Sequence, residues 1–401
     1  MVCVGVDLGP RGAVNQQRIG LLQADPATAP HAQGVLVIDD TGDRKDGRHT
    51  DHVARQYLGS VGKTDNGIVA VTSLWASQRC YWPLHLVPYT PASRLAKGKR
   101  DPGFGTKPQL AAALVAAARK AGIPFRAVVA DCFYGDNPGF VEALGRAGVA
   151  FVLALKPRKG TWAPADQAHT PVEAARELDW GGPGRPGQWR RVTRRFRDGH
   201  TQTWWAADAV LGGWGPQGPH RLVVATTDPA RLPKLTTWYL LCNLARPGGR
   251  RTQQAQLAEI VGAYGLRNWV EQGDKQVKDE LGWADFQVRS DRAIRRHWTL
   301  VCCAFSFCWH AGQAQAAPAA GPAPPAATAA VPSSLAADPA AARGAQQRLD
   351  PDRLPSGSGR DGVVAAGAAS GTRLAGPVGV AWALLARMVG QPAAPAVTAG
   401  A

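Results

Sequence analysis

The stretch KPQLAAALVAAARKAGIPFRAVVADCFYGDNPGFVEALGRAGVAFVLAL, residues 107–155, decides the fold class of this chain. Its apolar residues alternate between the spacing of a helix and the short continuous runs of buried strands. It predicts, in order, a helix over 107–122, a strand over 126–131, a helix over 137–148 and a strand over 150–155. Alternation of this kind is typical of an α/β sheet that contains parallel strands.

Upstream of this stretch, the sequence predicts strands without intervening helices. GVLVIDD (34–40) is a short apolar run that ends in acids. GIVAVTSLWA (67–76) and CYWPLHLVPY (80–89) are typical of a strand pair joined by a short turn. Three strands followed by helix, strand, helix and strand resemble the ribonuclease-H-like fold. We therefore predict an α/β fold with a ribonuclease-H-like mixed sheet and flanking helices.

Downstream, a β-rich insertion interrupts this pattern. It holds many glycines, the basic run RRVTRRFR (190–197) and tryptophans at 162, 180, 189, 204, 205 and 214. TTWYLLCNL (236–244) predicts a strand that returns to the core, and helices are predicted over 253–264 and 266–281. The predicted divisions are a remnant N-terminal segment (1–33), the first part of the core (34–159), the insertion (160–244), the C-terminal core helices (245–311) and a low-complexity tail (312–401).

The tail consists mainly of Ala, Pro and Gly, and Trp382 is its only aromatic residue. Such a composition buries too little apolar surface to offset chain entropy, so we predict disorder, apart from one short helix around 378–389. The tail holds six Arg and four Asp, a net charge of +2, so +14 of the formal net charge of +16 lies in the first 311 residues.

Charge and cysteine content limit the choice of partners and compartment. The 401 residues contain 46 Lys plus Arg against 30 Asp plus Glu, a balance that suits nucleic acid or an anionic surface. A GC-rich genome that favours Arg would give the same balance without such a partner. Seven cysteines without metal-binding spacing indicate reduced thiols in a cytosolic protein. The sequence shows neither a signal-peptide pattern nor an apolar stretch long enough to span a membrane.

Three acidic residues stand at the ends of apolar elements: Asp40, Asp131 and Glu271. Strand ends are where α/β sheets build sites, since side chains there project into a crevice. Converging carboxylates repel one another unless a cation joins them, and hard oxygen ligands select Mg²⁺ or Mn²⁺. Two such ions about 3.5–4 Å apart can activate water and stabilise the leaving oxygen of a phosphodiester. Taken singly, each acid is better explained as the solvated end of a strand or helix.

Four polar side chains share one stripe of the predicted C-terminal helix. At about 100° per residue, a sector of about 60° contains Tyr264, Arg267, Glu271 and Lys278. A separate apolar face is formed by Leu266, Val270, Val277 and Leu281. A carboxylate flanked by Arg and Lys suits a metal ligand beside phosphate contacts. An ordinary amphipathic helix with charge pairs one turn apart is the alternative interpretation.

These motifs resemble the insertion-sequence transposases of the DDE superfamily. The resemblance is carried by IDDTG (38–42), ADCFYGD (130–136) and YGLRNWVEQGDKQVKDELGWADFQVRS (264–290), the last of which fits the family's Y-x₂-R-x₃-E-x₆-K signature. VARQYLGSVGKTDNGIVAV (53–71) and RSDRAIRRHWTLVCCAFSF (289–307) are also similar to the family. The resemblance covers roughly residues 34–311.

The resemblance implies a role for each matching residue. Asp40 would be the first metal ligand, with Asp39 as its neighbour, Asp131 the second and Glu271 the third. Mg²⁺ or Mn²⁺, as two ions, would be the cofactor. The signature residues that would position the phosphates of the transposon end are Tyr264, Arg267 and Lys278.

In relatives, the β-rich insertion contacts the transposon end and can stack a displaced base on Trp, which makes Trp204 or Trp205 a candidate here. A tryptophan in the β core is the more ordinary explanation for either residue. The basic run offers phosphate contacts or a solvated face through Arg190, Arg191, Arg194 and Arg195.

The resemblance thus predicts a DDE transposase that cuts double-stranded DNA at transposon ends and joins the 3′-OH to target DNA. It implies a homodimer on DNA, in the cytoplasm and associated with the nucleoid when bound. Family members carry a helical domain before the first Asp, whereas only 39 residues precede Asp40 here, so the sequence also predicts an N-terminal truncation. A truncated, non-catalytic DNA-binding remnant is the main alternative. A host ribonuclease-H-like nuclease or junction resolvase is a weaker one.

Overall fold

One mixed sheet of ten strands organises the described part of the chain. The computed structural model describes residues 12–316, apart from 197–198, 213–219 and 249–252. The strands are β1 (Val35–Arg44), β2 (Ala54–Leu58), β3 (Lys63–Ala76), β4 (Tyr81–Pro88), β5 (Ala127–Ala130), β6 (Phe151–Ala154), β7 (Arg190–Arg195), β8 (Thr201–Ala209), β9 (Arg221–Thr226) and β10 (Thr237–Cys242). Their order is β2-β3-β1-β5-β6-β10-β9-β8-β7, and β4 also pairs with β3.

Helices flank this sheet. They are α1 (Gly12–Ala24), α2 (Lys107–Lys120), α3 (Cys132–Gly135), α4 (Pro138–Arg146), α5 (Pro171–Arg176), α6 (Leu257–Gly265), α7 (Asn268–Asp279) and α8 (Asp291–Ala316). The helix predicted over 107–122 begins where Thr106 caps α2 with a capping box, and Gly122 follows its end with a φ of +70°. The predicted α/β class with a mixed sheet and flanking helices is confirmed.

The first half of the sheet has the predicted ribonuclease-H-like arrangement. β1, β3 and β4 form an antiparallel ribbon, whereas β5 and β6 add to β1 in parallel. The apolar run Val35–Ile38 is almost fully buried, as expected of a strand covered on both faces. Because β5 pairs with β1 only as far as Ile38, opposite Ala130, the next residues of both strands emerge together at one edge of the sheet.

The insertion is rich in β-strands, as predicted, but its strands extend the core sheet instead of forming a sheet of their own. β10 pairs antiparallel with β6, and β9, β8 and β7 follow outward in turn. The return of β10 to the core was predicted, but the addition of β9, β8 and β7 beyond it was not, because the unpaired backbone groups of an edge strand are not visible in its side-chain pattern.

The segment predicted as an N-terminal remnant contributes a helix to the core. Arg18 and Ile19 of α1 are almost fully buried. The Arg18 guanidinium donates to Ser306 Oγ on α8 at 2.8 Å and to the Leu84 carbonyl on β4 at 2.9 Å. The predicted truncation and the domain boundaries stay predictions.

At the C-terminal end, α8 continues four residues past the composition break at Gly312 and reaches Ala316. The disorder predicted for the rest of the tail, and the short helix around 378–389, lie outside the described residues. Within the described ranges, no helix combines the length and the apolarity needed to cross a membrane. The cysteines described are free thiols: Cys80, Cys132, Cys242, Cys302, Cys303 and Cys308.

Candidate active site

Two adjacent aspartates follow the buried half of β1. Asp39 and Asp40 lie just beyond the residues of β1 that pair with β5, and both are partly buried. Asp131 directly follows β5 and caps α3, where its Oδ1 accepts a hydrogen bond from the Phe133 amide at 3.0 Å. Parallel pairing therefore brings the ends of the two strands, and the three carboxylates, to the same edge.

The three aspartates influence one another electrostatically. Burial raises the pKa of Asp39 to about 7, and the charges of Asp131 and Asp274 add to the rise, while Arg267 opposes it. Burial also raises the pKa of Asp131, with a smaller contribution from Asp40 in the same direction. Such mutual repulsion is the property of a carboxylate group that a cation would relieve.

Arg267 lies between carboxylates from two elements. Its Nη2 is 2.9 Å from Asp39 Oδ2 and its Nη1 is 3.1 Å from Glu271 Oε1. The charges of Asp39, Tyr264, Asp131 and Glu271 all raise the pKa of Arg267, against the effect of its burial. The guanidinium therefore joins β1 to the helix that carries Glu271.

Glu271 lies in the first turn of α7, and its side chain is 68% exposed. In the described part of the chain, no three or more His, Cys, Asp or Glu side chains form a group that could hold a metal ion. The donor set nevertheless fits a hard divalent cation, since it consists of carboxylate oxygens whose charges repel one another. In this structure Lys107 and Arg267 balance part of that charge.

Lys107, the first residue of α2, forms an ion pair with Asp40 and was not singled out from the sequence. Its Nζ also lies 5.5 Å from the Phe133 ring centroid and 5.7 Å from that of Tyr89. Only the fold brings it to Asp40, 67 residues earlier, so local spacing gave no signal.

Asp274, one turn beyond Glu271 on α7, is a second residue that the sequence analysis missed. Its pKa is raised to about 6, chiefly by burial and also by the charges of Asp43 and Asp40, against the lowering effect of Lys278 and the Thr41 hydroxyl. The helical spacing that selected Glu271 would also have placed Asp274 near this stripe.

The four signature residues do not lie on one continuous helix. α6 ends at Gly265 and α7 begins at Asn268, with a tighter turn between them in which the Arg267 amide donates to the Tyr264 carbonyl at 2.9 Å. Tyr264 is buried, and its ring meets Trp238 edge-on at 4.9 Å. Lys278 donates to the Gly42 carbonyl at 3.0 Å and pairs with Asp43 at 2.9 Å.

The basic residues of β7 fall into two groups. Arg190, Arg191 and Arg195 are exposed on this outermost strand. Arg194 instead lies against three rings, with its guanidinium carbon 4.4 Å from Trp238, 4.6 Å from Trp204 and 4.8 Å from Phe196. Burial lowers the pKa of Arg194 to about 10.

The two tryptophans predicted to stack on a base are buried. Trp204 is 2% exposed and packs against Trp238, while Trp205 is 9% exposed and packs edge-on against Trp180. A base could stack on either ring only after the ring left these contacts. Trp162, by contrast, is 86% exposed.

Comparison with known proteins identifies the kind of domain that this site belongs to. Residues 13–210 match the family described as DDE superfamily endonuclease. Over 255 residues it is 33% identical to the probable transposase for insertion sequence element IS701 of Microchaete diplosiphon. Within the superfamily, the chain is therefore related to the insertion-sequence transposases, as its motifs predicted.

The alignment with the Microchaete protein covers 63% of this chain and 60% of that relative's length. A weaker likeness joins the chain to the cryo-EM structure of the piggyBac transposase synaptic complex with hairpin DNA. That likeness has a TM-score of 0.36 and 12% sequence identity, over 72% of this chain and 48% of the other.

Proposed function

We propose that this chain is a DNA transposase that hydrolyses phosphodiesters at transposon ends and transfers the resulting 3′-OH to target DNA. The observation that carries the proposal is the Arg267 side chain, which contacts Asp39 on β1 and Glu271 on α7 while Asp131 raises the pKa of Asp39. Carboxylates from three separate elements thereby share one electrostatic environment.

In this proposal Asp40, Asp131 and Glu271 hold the divalent cations, Mg²⁺ or Mn²⁺. When bound, such ions supply an activated water and stabilise the leaving oxygen of the phosphodiester. The remaining work falls to the chain's own side chains. Arg267 holds β1 and α7 together, so that the carboxylates keep their separation, and Lys107 balances Asp40 while no cation is present.

DNA contacts are proposed for the exposed part of the insertion. Arg190, Arg191 and Arg195 offer phosphate contacts from the outermost strand, whereas Arg194 supports the fold of the insertion. Tyr264 in the last turn of α6 and Lys278 in the last turn of α7 would position the transposon end, and two ends would be held by two copies of the chain.

For the stacking role, we propose Trp162 in place of the buried Trp204 and Trp205. The backbone beside it is held in place, since Thr161 donates from its amide to the His169 carbonyl at 2.9 Å. A Cβ at Gly212 would lie 2.2 Å from the Trp162 carbonyl oxygen, so only glycine permits this close approach. The indole is therefore presented to solvent from a fixed backbone, as a stacking platform requires.

The proposal is tested by cleavage of linear DNA that carries the element's terminal sequences, in the presence of Mg²⁺ or Mn²⁺. Asp40→Asn, Asp131→Asn and Glu271→Gln should each abolish strand cleavage while DNA binding persists. Glu142→Gln removes a carboxylate from an exposed pair on α4 and should leave cleavage unchanged. Metal-dependent cutting by any of the first three variants would contradict the assignment, and salt-sensitive binding without cutting by the wild type would favour the non-catalytic remnant.

A further inference from the structure

We propose that the loop between β4 and α2, residues 91–106, binds backbone phosphates of the DNA strand beside the candidate active site. The inference rests on the proposed function, because it takes DNA as the substrate. It concerns a surface that the motif analysis did not single out, and it is carried by three features of this loop: its position, its charge and its fixed backbone.

The loop rises from the edge of the sheet where Asp40 lies. β4 and β1 both pair antiparallel with β3, so they run in the same direction and end at the same edge. Ala70 of β3 pairs with Pro88 at the end of β4 on one side and with Thr41 of β1 on the other. Thr41 directly follows Asp40, so β4 ends at the height of Asp40 in the sheet. The other end of the loop leads directly into Lys107, which pairs with Asp40. Both ends of the loop are therefore anchored beside the first candidate metal ligand.

The loop carries unbalanced positive charge. It contains Arg94, Lys97, Lys99 and Arg100 against the single acid Asp101. Asp101 is used within the loop, since its carboxylate accepts hydrogen bonds from the Lys97 amide at 3.3 Å and the Gly103 amide at 3.0 Å.

Within the described residues, Lys97, Lys99 and Arg100 are exposed and form no ion pair with a carboxylate. Arg94 donates to two backbone carbonyls, those of Arg48 at 3.0 Å and Thr50 at 3.3 Å. Exposed cations on neighbouring residues, without acidic partners, suit a row of phosphates.

Three cations near this edge already have acidic partners. Lys107 pairs with Asp40, Arg267 with Asp39 and Lys278 with Asp43. Each of these would have to break an ion pair before it could contact a phosphate, whereas the exposed cations of the loop would not.

Consecutive turns hold the loop backbone. Short 3₁₀ turns span Ala92–Arg94 and Gly98–Arg100, and Gly98 adopts a φ of +56°, which a side chain would strain. The Gly98 amide donates to the Leu95 carbonyl at 3.0 Å and the Arg100 amide to the Lys97 carbonyl at 3.0 Å. A backbone ordered in advance loses less entropy when it binds, so these cations are preorganised.

The test compares DNA binding by the full chain and by a Lys97→Ala, Lys99→Ala, Arg100→Ala variant over about 50–200 mM salt. The probe is a linear duplex that carries the element's terminal sequence. Each lost phosphate contact lowers the slope of log affinity against log salt by about 1, so the triple variant should lower it by about 3. Because the three side chains are exposed, the thermal unfolding of the variant should match that of the wild type.

A matched control removes the same charge at the opposite edge of the sheet. Arg79 lies in the turn from β3 to β4, and Arg119 and Lys120 lie at the end of α2, all exposed. Alanine at these three positions should leave the salt slope unchanged. An equal fall in slope in both triple variants would mean that net charge alone is measured, and would overturn the proposal.

Single neutral methylphosphonates in the DNA locate the contact. Those within a few nucleotides of the cleaved bond should weaken binding of the wild type and have no effect on the loop variant. The inference is overturned if the loop variant keeps the wild-type slope and the wild-type sensitivity to every methylphosphonate. In that case, metal-dependent cleavage by the wild type would still leave the proposed function intact, whereas a wild type that binds no DNA would overturn both.

Discussion

Arg267 and Asp39 lie 228 residues apart in the chain, yet Nη2 of the arginine is 2.9 Å from Oδ2 of the aspartate. Both side chains are largely buried, at 15% and 13% exposure. The pair joins β1 to the helix that carries Glu271.

Arg267→Gln should destabilise the fold strongly, because it leaves the Asp39 carboxylate buried beside Asp131 without its cation. Removing one partner of a buried ion pair costs about 3–5 kcal/mol of unfolding free energy. Urea unfolding in metal-free buffer measures the loss, and Asp39→Asn added to Arg267→Gln should recover part of it. Arg146→Gln breaks an exposed pair with Glu142 and should cost less than about 1 kcal/mol. Similar losses in the two arginine variants would contradict the bridging role.

Lys107→Met should destabilise the metal-free protein by about 1–3 kcal/mol, because Asp40 loses its partner in a partly buried environment. Saturating Mg²⁺ should reduce the difference in stability between the variant and the wild type. A ligand that binds the folded state stabilises it, and in the variant Asp40 can bind the cation without first losing Lys107. Thermal unfolding over a series of Mg²⁺ concentrations tests this, with Lys120→Met at the exposed end of α2 as the control. If the stability difference between Lys107→Met and the wild type did not depend on Mg²⁺, Lys107 and the cation would not compete for Asp40.

Arg194 and Arg195 are adjacent on β7, but their variants should change different properties, stability for Arg194 and DNA binding for Arg195. Arg194→Ala loses the contacts with Trp204, Trp238 and Phe196 and should lower the unfolding free energy by about 1–2 kcal/mol. Arg195→Ala, at an exposed position, should leave stability within about 0.5 kcal/mol. It should instead reduce the salt slope of DNA binding by about 1. If Arg194→Ala changed only the salt slope, the stacked guanidinium would have no structural role.

Trp162→Ala should weaken binding to DNA that has an unpaired terminal base by about 1–3 kcal/mol, roughly 5- to 150-fold. Fully paired DNA should show a much smaller change, because its bases are already stacked. Fluorescence of 2-aminopurine at the unpaired position reports stacking directly, and Trp162→Phe should keep part of the quenching. Leu235→Ala, at a side chain that is 90% exposed, is the matched control. Equal binding losses on paired and unpaired DNA would contradict stacking.

His85 should make stability fall in mild acid. Burial, and then the charge of Arg18, lowers its pKa to about 4, from an ordinary value near 6.5. The groups that face it are Arg18 on α1, with Asp274 on α7 and Cys302 on α8 across a cavity of about 30 Å³. Between pH 6.5 and 4, the imidazole of His85 is protonated in the unfolded chain but not in the folded chain. The unfolding free energy therefore falls as the pH is lowered through that window.

His85→Leu should remove that part of the fall. The difference between wild type and variant should change by about 3 kcal/mol between pH 7.5 and 4. Other titrating groups cancel in this difference, which makes it the quantity to measure by urea unfolding at each pH. Parallel curves for the two proteins would contradict the lowered pKa of His85.

Much of the core fold could be predicted from local sequence. Val35–Ile38 and Ala127–Ala130 are continuous apolar runs, and each is followed by an acid. Such runs indicate buried strands, and the helices between them bring successive strands into parallel pairing. The adjacency of Asp40 and Asp131 at one edge of the sheet followed from this pattern.

The C-terminal helices could be predicted only in part. Two separate helices were predicted, over 253–264 and 266–281, and α6 and α7 confirm the break between them. The stripe drawn from Tyr264 to Lys278 assumed one continuous helix, and it does not hold across that break. Sequence spacing also gave no sign that Tyr264 packs against Trp238 on β10, because that contact joins elements that are separate in the sequence.

Solvent exposure was the property that sequence predicted least well. Trp162 and Trp204 both lie among polar and basic residues, yet one is exposed and the other buried. Residue type gives the same hydrophobic preference to both, and only the packing of β7, β8 and β10 decides which ring is covered.

The sequence by itself determined the strands β1, β3, β4, β5, β6 and β10, the helices α2, α4, α6 and α7, and the family motifs, because these depend on the order of neighbouring residues along the chain. Tertiary structure alone decided that Lys107 pairs with Asp40, that Arg267 joins Asp39 to Glu271, and that the insertion lengthens the core sheet. Charge pairing and burial depend on distances in space between residues that are far apart in the chain, and local sequence spacing does not determine those distances.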